Sequence, residues 1–85
     1  MNTATSTPSK KAANMSSSES KKSIENHKKA AAHLEAAAQH HQEAAKQHEA
    51  GEHAKAGEST VIALGHHAAA GEVQREDMKL HSNSN

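Results

Sequence analysis

From Ile24 to Ala50 the chain contains neither Gly nor Pro, and its small and apolar residues recur every seven positions. One seam position holds Ile24, Ala31, Ala38 and Ala45. Three residues on, its partner position holds His27, Leu34, His41 and His48, and a flanking position holds Ser23, Ala30, Ala37 and Ala44. The opposite face carries Lys28, Glu35, Gln42 and Glu49, with Glu25, Gln39 and Lys46 beside them. This pattern predicts an amphipathic helix whose buried stripe is alanine and histidine. Alanine in a seam lets a second helix approach at the short end of the usual spacing of about 8–10 Å. Ser16 followed by Glu19 forms a capping-box pattern, and Ser20 and Ser23 are alternative caps. The helix is expected from about residue 19 to about residue 50.

Gly51 punctuates the pattern, because glycine readily takes the left-handed conformation that closes a helix. Glu52 suits the first turn of a second helix. A reversal at Gly51 gives an antiparallel helical hairpin. The second helix, about 53–80, contains Gly57, Gly65 and Gly71, each costing about 1 kcal/mol relative to alanine. Val61, Leu64, Ala68 and Met78 share a stripe with Ala54, Gly57 and Gly71, while Ile62, Ala69, Val73 and Leu80 form another. The pattern favours one continuous helix whose glycines permit close packing over a break at Gly71. Residues 82–85 are expected to fray.

Residues 1–18 read as a disordered tail rich in Ser, Thr and Lys. The hairpin is assigned to residues 19–81. Residues 1–29 hold six lysines against two glutamates, a net +4, and residues 30–85 carry the balancing −4. Such a basic arm could touch nucleic acid or anionic lipid, but a solvated tail attracted to its own body accounts for it more simply. No aromatic residue is present to stack on bases. The chain has no cysteine, so it has neither a disulfide nor a thiolate metal site. It has no apolar signal region near its start and no apolar run of membrane-spanning length, so cytoplasm is the expected location. The large aliphatics are few: Ile24, Leu34, Val61, Ile62, Leu64, Val73 and Leu80. Burying one is worth roughly 1.5–3 kcal/mol, so a lone hairpin is expected to be marginal and helped by a second chain or a metal.

The segment from His33 to Ala56, with its core HLEAAAQHHQEAAKQHEAGEHAKA, resembles small His- and Ala-rich bacterial helical proteins with an HHEAAAKHHEAGEHEKAA-like pattern. The resemblance covers the middle third of the chain and extends through Leu64-Gly65-His66-His67. It implies helices and no particular activity. The second half of such relatives is richer in histidine, and Ser59, Thr60, Val61 and Ile62 depart from that. The EAGEHAKA turn is similar to the helix-to-helix turn of tetratricopeptide units, although a single hairpin is not a repeat array.

Nine histidines mark the chain for proton or metal chemistry. Two ligands on one helix converge when three or four residues apart, and no HxxxH pair occurs. Residues seven apart lie about 10.5 Å apart along the axis, so His27, His41 and His48 cannot share one ion, nor can His33 and His40. Mixed spacings do exist: His40 with Glu43, Asp77 with His81, and His48 with Glu52 and Glu49 with His53 across the turn. Reversal at Gly51 brings His66 and His67 opposite Ala37 and Ala36. His33, His40, His66 and His67 are therefore the candidate metal ligands, with His41 and Glu43 as extras and Zn, Ni or Cu as the ion. The competing expectation is that histidine simply populates helix faces. Burial of His41 and His48 as neutral rings would make acid favour the unfolded or dissociated state through about pH 6–7.

No enzyme motif is present: no HExxH, no thiol nucleophile, no glycine-rich phosphate loop and no Ser/His/Asp arrangement. The sequence thus predicts an all-α hairpin that is not an enzyme. Its expected role is structural, through self-association into a dimeric four-helix bundle or docking of another helical protein, with divalent metal binding as the alternative.

Overall fold

The computed structural model describes residues 16–83 and contains two helices, α1 (Ser17–Glu49) and α2 (His53–Asn83), of 33 and 31 residues. Among the described residues there is no strand. The helices pack along their length as the expected antiparallel hairpin. Ser17 and Ser18, assigned to the tail by sequence, are already helical, and residues 1–15 of that tail lie outside the described residues. The helix also continues through Ser82 and Asn83, where fraying was expected, and residues 84–85 lie outside.

Each end of α1 has a local cause. The Glu19 amide donates to Ser16 Oγ at 3.1 Å, and the Ser16 amide donates to Glu19 Oε1 at 3.1 Å, completing the capping box. Glu19 in the first turn and Lys46 and His48 in the last favour the helix dipole. At the far end Gly51 takes a φ of +81°. Its amide donates to the His48 carbonyl at 3.0 Å and that of Glu52 donates to the Gln47 carbonyl at 2.7 Å, the paired bonds of a Schellman closure.

The buried face of α1 differs from the predicted one by one helical position. Ser23, Ala30, Ala37 and Ala44 are buried, whereas Ile24, Ala31, Ala38, Ala45, His27, Leu34, His41 and His48 are exposed. In α2 the buried set is Ala56, Ala63, Ala70 and Asp77, again seven apart, with Ser59. Neither predicted α2 stripe supplies it. Small residues at every seventh position of both helices allow an uninterrupted close approach, which Leu34 or Ile24 in the seam would prevent. The alternate seam positions are half-buried: Asn26, His33, His40 and Gln47 from α1, and His66, Val73 and Leu80 from α2. Ile24, Leu34, Val61, Ile62, Leu64 and Met78 are all exposed, so no large side chain is fully buried.

α2 runs unbroken through Gly57, Gly65 and Gly71. Close packing is not the reason, because a Cβ added at Gly57 or Gly65 would meet nothing within 4 Å and at Gly71 only the Arg75 guanidinium at 3.8 Å. No described helix is long and apolar enough to cross a membrane.

The alanine seam makes a specific demand. Ala37→Leu, at a site with 0% exposure, should destabilise the hairpin by about 1–3 kcal/mol through overpacking. Ala32→Leu, at an exposed position of the same helix, should change stability by less than about 0.5 kcal/mol. Urea unfolding followed by circular dichroism measures both.

Candidate functional site: the histidine seam and flank

The seven-residue register that buries alanine also sorts the histidines. His33, His40 and His66 occupy half-buried seam positions. His27, His41 and His48 of α1 occupy the adjoining flank, as do His53, His67 and His81 of α2. In an antiparallel pair these adjoining positions fall on the same side of the hairpin, and the contacts show it. The His41 and His67 rings lie 5.5 Å apart, His27 and His81 reach the same carboxylate, and His48 meets His53. All nine histidines therefore lie in the seam or along one edge.

At mid-length, His33 Nδ1 and His66 Nδ1 are 3.0 Å apart. The His40 ring stacks on that of His66 with centroids 5.8 Å apart and an interplanar angle of 11°. Three of the four sequence-predicted ligands, His33, His40 and His66, thus come together across the helices. His67 is one position round the helix and sits against His41 instead, while Glu43 is exposed on the other flank. Among the described residues, no group of three or more His, Asp or Glu side chains is arranged to hold a metal ion.

The hairpin's open end is built around Asp77. Its side chain is buried in the seam facing Ser23. Oδ2 accepts from His27 Nε2 and His81 Nε2, each at 3.2 Å, and Oδ1 accepts from Asn26 Nδ2 at 3.4 Å. Burial pushes the carboxyl up. Hydrogen bonds from Ser23 and Asn26 and the positive potential of His27 and His81 outweigh it and hold the group below its ordinary 3.8. The i,i+4 spacing of Asp77 and His81 is visible in the sequence, but the cross-helix role of His27 was not. The missing signal is Asp77's place in the series Ala56, Ala63, Ala70, which puts a carboxylate where the chain otherwise puts alanine.

At the closed end the Schellman turn brings His48 Nδ1 to 2.7 Å from His53 Nδ1. The sequence spacings across Gly51 pointed to His48 with Glu52 and Glu49 with His53. The structure pairs the two imidazoles instead. Beneath them Ser59 Oγ donates to Gln47 Oε1 at 2.8 Å. Among the described residues no buried side-chain nitrogen or oxygen lacks a partner, so the polar seam is fully bonded.

The two flanks of the hairpin differ in charge. Beside the edge histidines, the next positions outward hold Ile24, Ala31, Ala38 and Ala45 on α1 and Gly57, Leu64, Gly71 and Met78 on α2. From Ile24 to His81 this flank contains no Lys, Arg, Asp or Glu. The other flank carries Lys22, Glu25, Lys29, Glu43 and Lys46 from α1 and Lys55, Glu58, Glu72, Glu76 and Lys79 from α2. Lys79 and Glu76 pair there at 3.6 Å.

No protein-family model matches the chain, and comparisons with curated proteins and with solved structures give no match.

The Asp77 network sets an acid limit. Its folded carboxyl titrates below 3.8, so its contribution is present above that value and lost as pH falls through the lower, folded one. Asp77→Asn should cost about 1–2 kcal/mol at pH 7. The stability gap between the two chains, measured by urea midpoints, should close as pH falls through the window below 3.8.

Proposed function

We propose that this chain is a small non-enzymatic self-association module whose hairpins pair through the uncharged histidine flank into a four-helix dimer that acid weakens. The observation that carries this reading is the segregation of charge. In a chain with ten basic and ten acidic residues, one full-length flank bears none of them. That flank instead exposes Ile24, Leu34, Leu64 and Met78 between small residues. An exposed apolar strip of this kind marks an interaction surface. A partner face free of unpaired charge suits it, because burying an unpaired charge is costly. A second copy supplies such a face by two-fold symmetry. The hairpin's lack of any fully buried large side chain gives pairing a stabilising role.

The acid response follows from where the histidines lie. His41 and His48 are exposed, so they do not act as buried neutral rings within one hairpin. They lie on the flank through which hairpins pair, His41 along it with His27, His67 and His81, and His48 with His53 at its exposed tip. Protonation of an imidazole, ordinarily near pH 6.5, places positive charge on a face that has no carboxylate of its own apart from the buried Asp77. Inside the hairpin, the His33–His66 and His48–His53 bonds each need one ring with a bare Nδ1. Protonating both rings of a pair turns donor and acceptor into two donors.

Sedimentation velocity tests the reading. A concentration-dependent dimer is expected at pH 7.5 and a monomer at pH 5. Leu64→Glu, on the uncharged flank, should weaken dimerisation at least about tenfold, which is about 1.4 kcal/mol, with helicity kept. Ile62→Glu, on the charged flank, should leave it intact. A monomer at every concentration at pH 7.5 refutes self-association and directs attention to a different helical partner.

A further inference from the structure

We infer that His48 and His53 form a chelating site for a divalent transition metal at the closed tip of the hairpin, with Cu²⁺ or Ni²⁺ preferred over Zn²⁺. Three observations carry it. The two Nδ1 atoms are 2.7 Å apart and both residues are exposed, so an ion reaches them without opening the seam. By contrast, the His33–His66 pair is half-buried between the helices. The turn that positions the tip pair is fixed by the left-handed Gly51 and by the amide bonds of Gly51 and Glu52 to the end of α1. The pair is therefore held before the ion arrives, and preorganisation lowers the cost of binding.

The nitrogens are close enough to share one ion, and the affinity order of imidazole for divalent metals sets the preference. With metal–nitrogen bonds of about 2.0–2.1 Å, two ligands at 90° lie about 2.9 Å apart, and two at the tetrahedral angle about 3.3 Å apart. The observed 2.7 Å is the spacing of the hydrogen-bonded pair, so the nitrogens need to part by less than about 1 Å to reach either arrangement. Square-planar and tetragonal nitrogen sites belong to Cu²⁺ and Ni²⁺, and Cu²⁺ is also the strongest binder in the divalent series. The remaining positions are filled by water, in keeping with the lack of any three-residue ligand group among the described residues.

The protons balance without an acid or base in the site. In the free hairpin one ring carries its proton on Nδ1 and donates to the bare Nδ1 of the other. On binding, that first ring moves its proton to Nε2 through water and the exposed rings turn so that both Nδ1 lone pairs face the ion, with both rings neutral. Above the ordinary imidazole range no net proton is released, and below it the ion competes with protons. The site needs one hairpin only, so its failure would leave the self-association reading untouched.

The test is a titration of the full chain with CuCl₂ in a non-chelating buffer at pH 7.5, followed by two-dimensional amide NMR. Below one equivalent, the paramagnetic ion should first broaden the amides of residues 46–55. His48→Gln and His53→Gln keep a polar side chain of similar length without an imidazole. Each should weaken the strongest Cu²⁺ site at least about tenfold by calorimetry, with the circular dichroism spectrum unchanged. Zn²⁺ should bind the parent chain at least about tenfold more weakly than Cu²⁺. Broadening that begins at the mid-length or Asp77 histidines, or Cu²⁺ affinity that survives both substitutions, overturns the assignment.

Discussion

The hairpin depends on the close contact of two helix faces made almost wholly of methyl groups. Ala30, Ala37 and Ala44 on α1 and Ala56, Ala63 and Ala70 on α2 are the buried hydrophobic residues. Each contributes little by transfer from water, roughly 0.8 kcal/mol per methyl-sized group. What they provide together is proximity. Backbones that come close gain many weak dispersion contacts along their length, and they leave no room for leucine or isoleucine at the alanine positions. Most large aliphatics are consequently displaced outward, and the space beside the alanine layers is filled by amides and imidazoles that bond across it, joined by the half-buried Val73 and Leu80.

This constraint explains what the sequence disclosed and what it hid. Helix existence, the capping box at Ser16, the Gly51 reversal and the antiparallel pairing all follow from local chemistry, and they are observed. The buried face did not follow from hydrophobicity. Ile24 and Leu34 drew the predicted seam toward themselves, whereas the true seam of α1 is the position that holds only serine and alanine. In an ordinary amphipathic helix bulk marks the core. In an alanine-packed hairpin smallness marks it, and a hydropathy count cannot see that. The same error obscured Asp77, which occupies the fourth place of the α2 alanine series.

The histidine group was more legible, because cross-helix register depends on where the chain turns and less on which face is buried. Folding at Gly51 was enough to bring His33, His40 and His66 to one level. It was not enough to place His67, since adjacent residues on a helix diverge by about 100°, and one step round the helix moves a side chain from seam to edge. The result is two chemical environments for one residue type. Seam imidazoles are locked into hydrogen-bonded or stacked pairs, and edge imidazoles face solvent with their pair partners beside them.

The three glycines of α2 carry a consequence for how the molecule comes apart. Nothing packs against Gly57 or Gly65, so their backbone freedom is not exchanged for contact within the hairpin. α2 also contains Thr60, Val61, Ile62 and Val73, β-branched residues of lower helix propensity, and Thr60 Oγ1 back-bonds to the Ala56 carbonyl at 2.9 Å. α1 has neither Gly nor Pro between its cap and its turn. The two helices are thus unequal partners: α1 has the higher intrinsic helix propensity, and α2 leans more on their pairing. Local unfolding then has a direction. α2 is expected to fray and detach before α1 does, and any partner that reaches the alanine face of α1 must first take the place of α2.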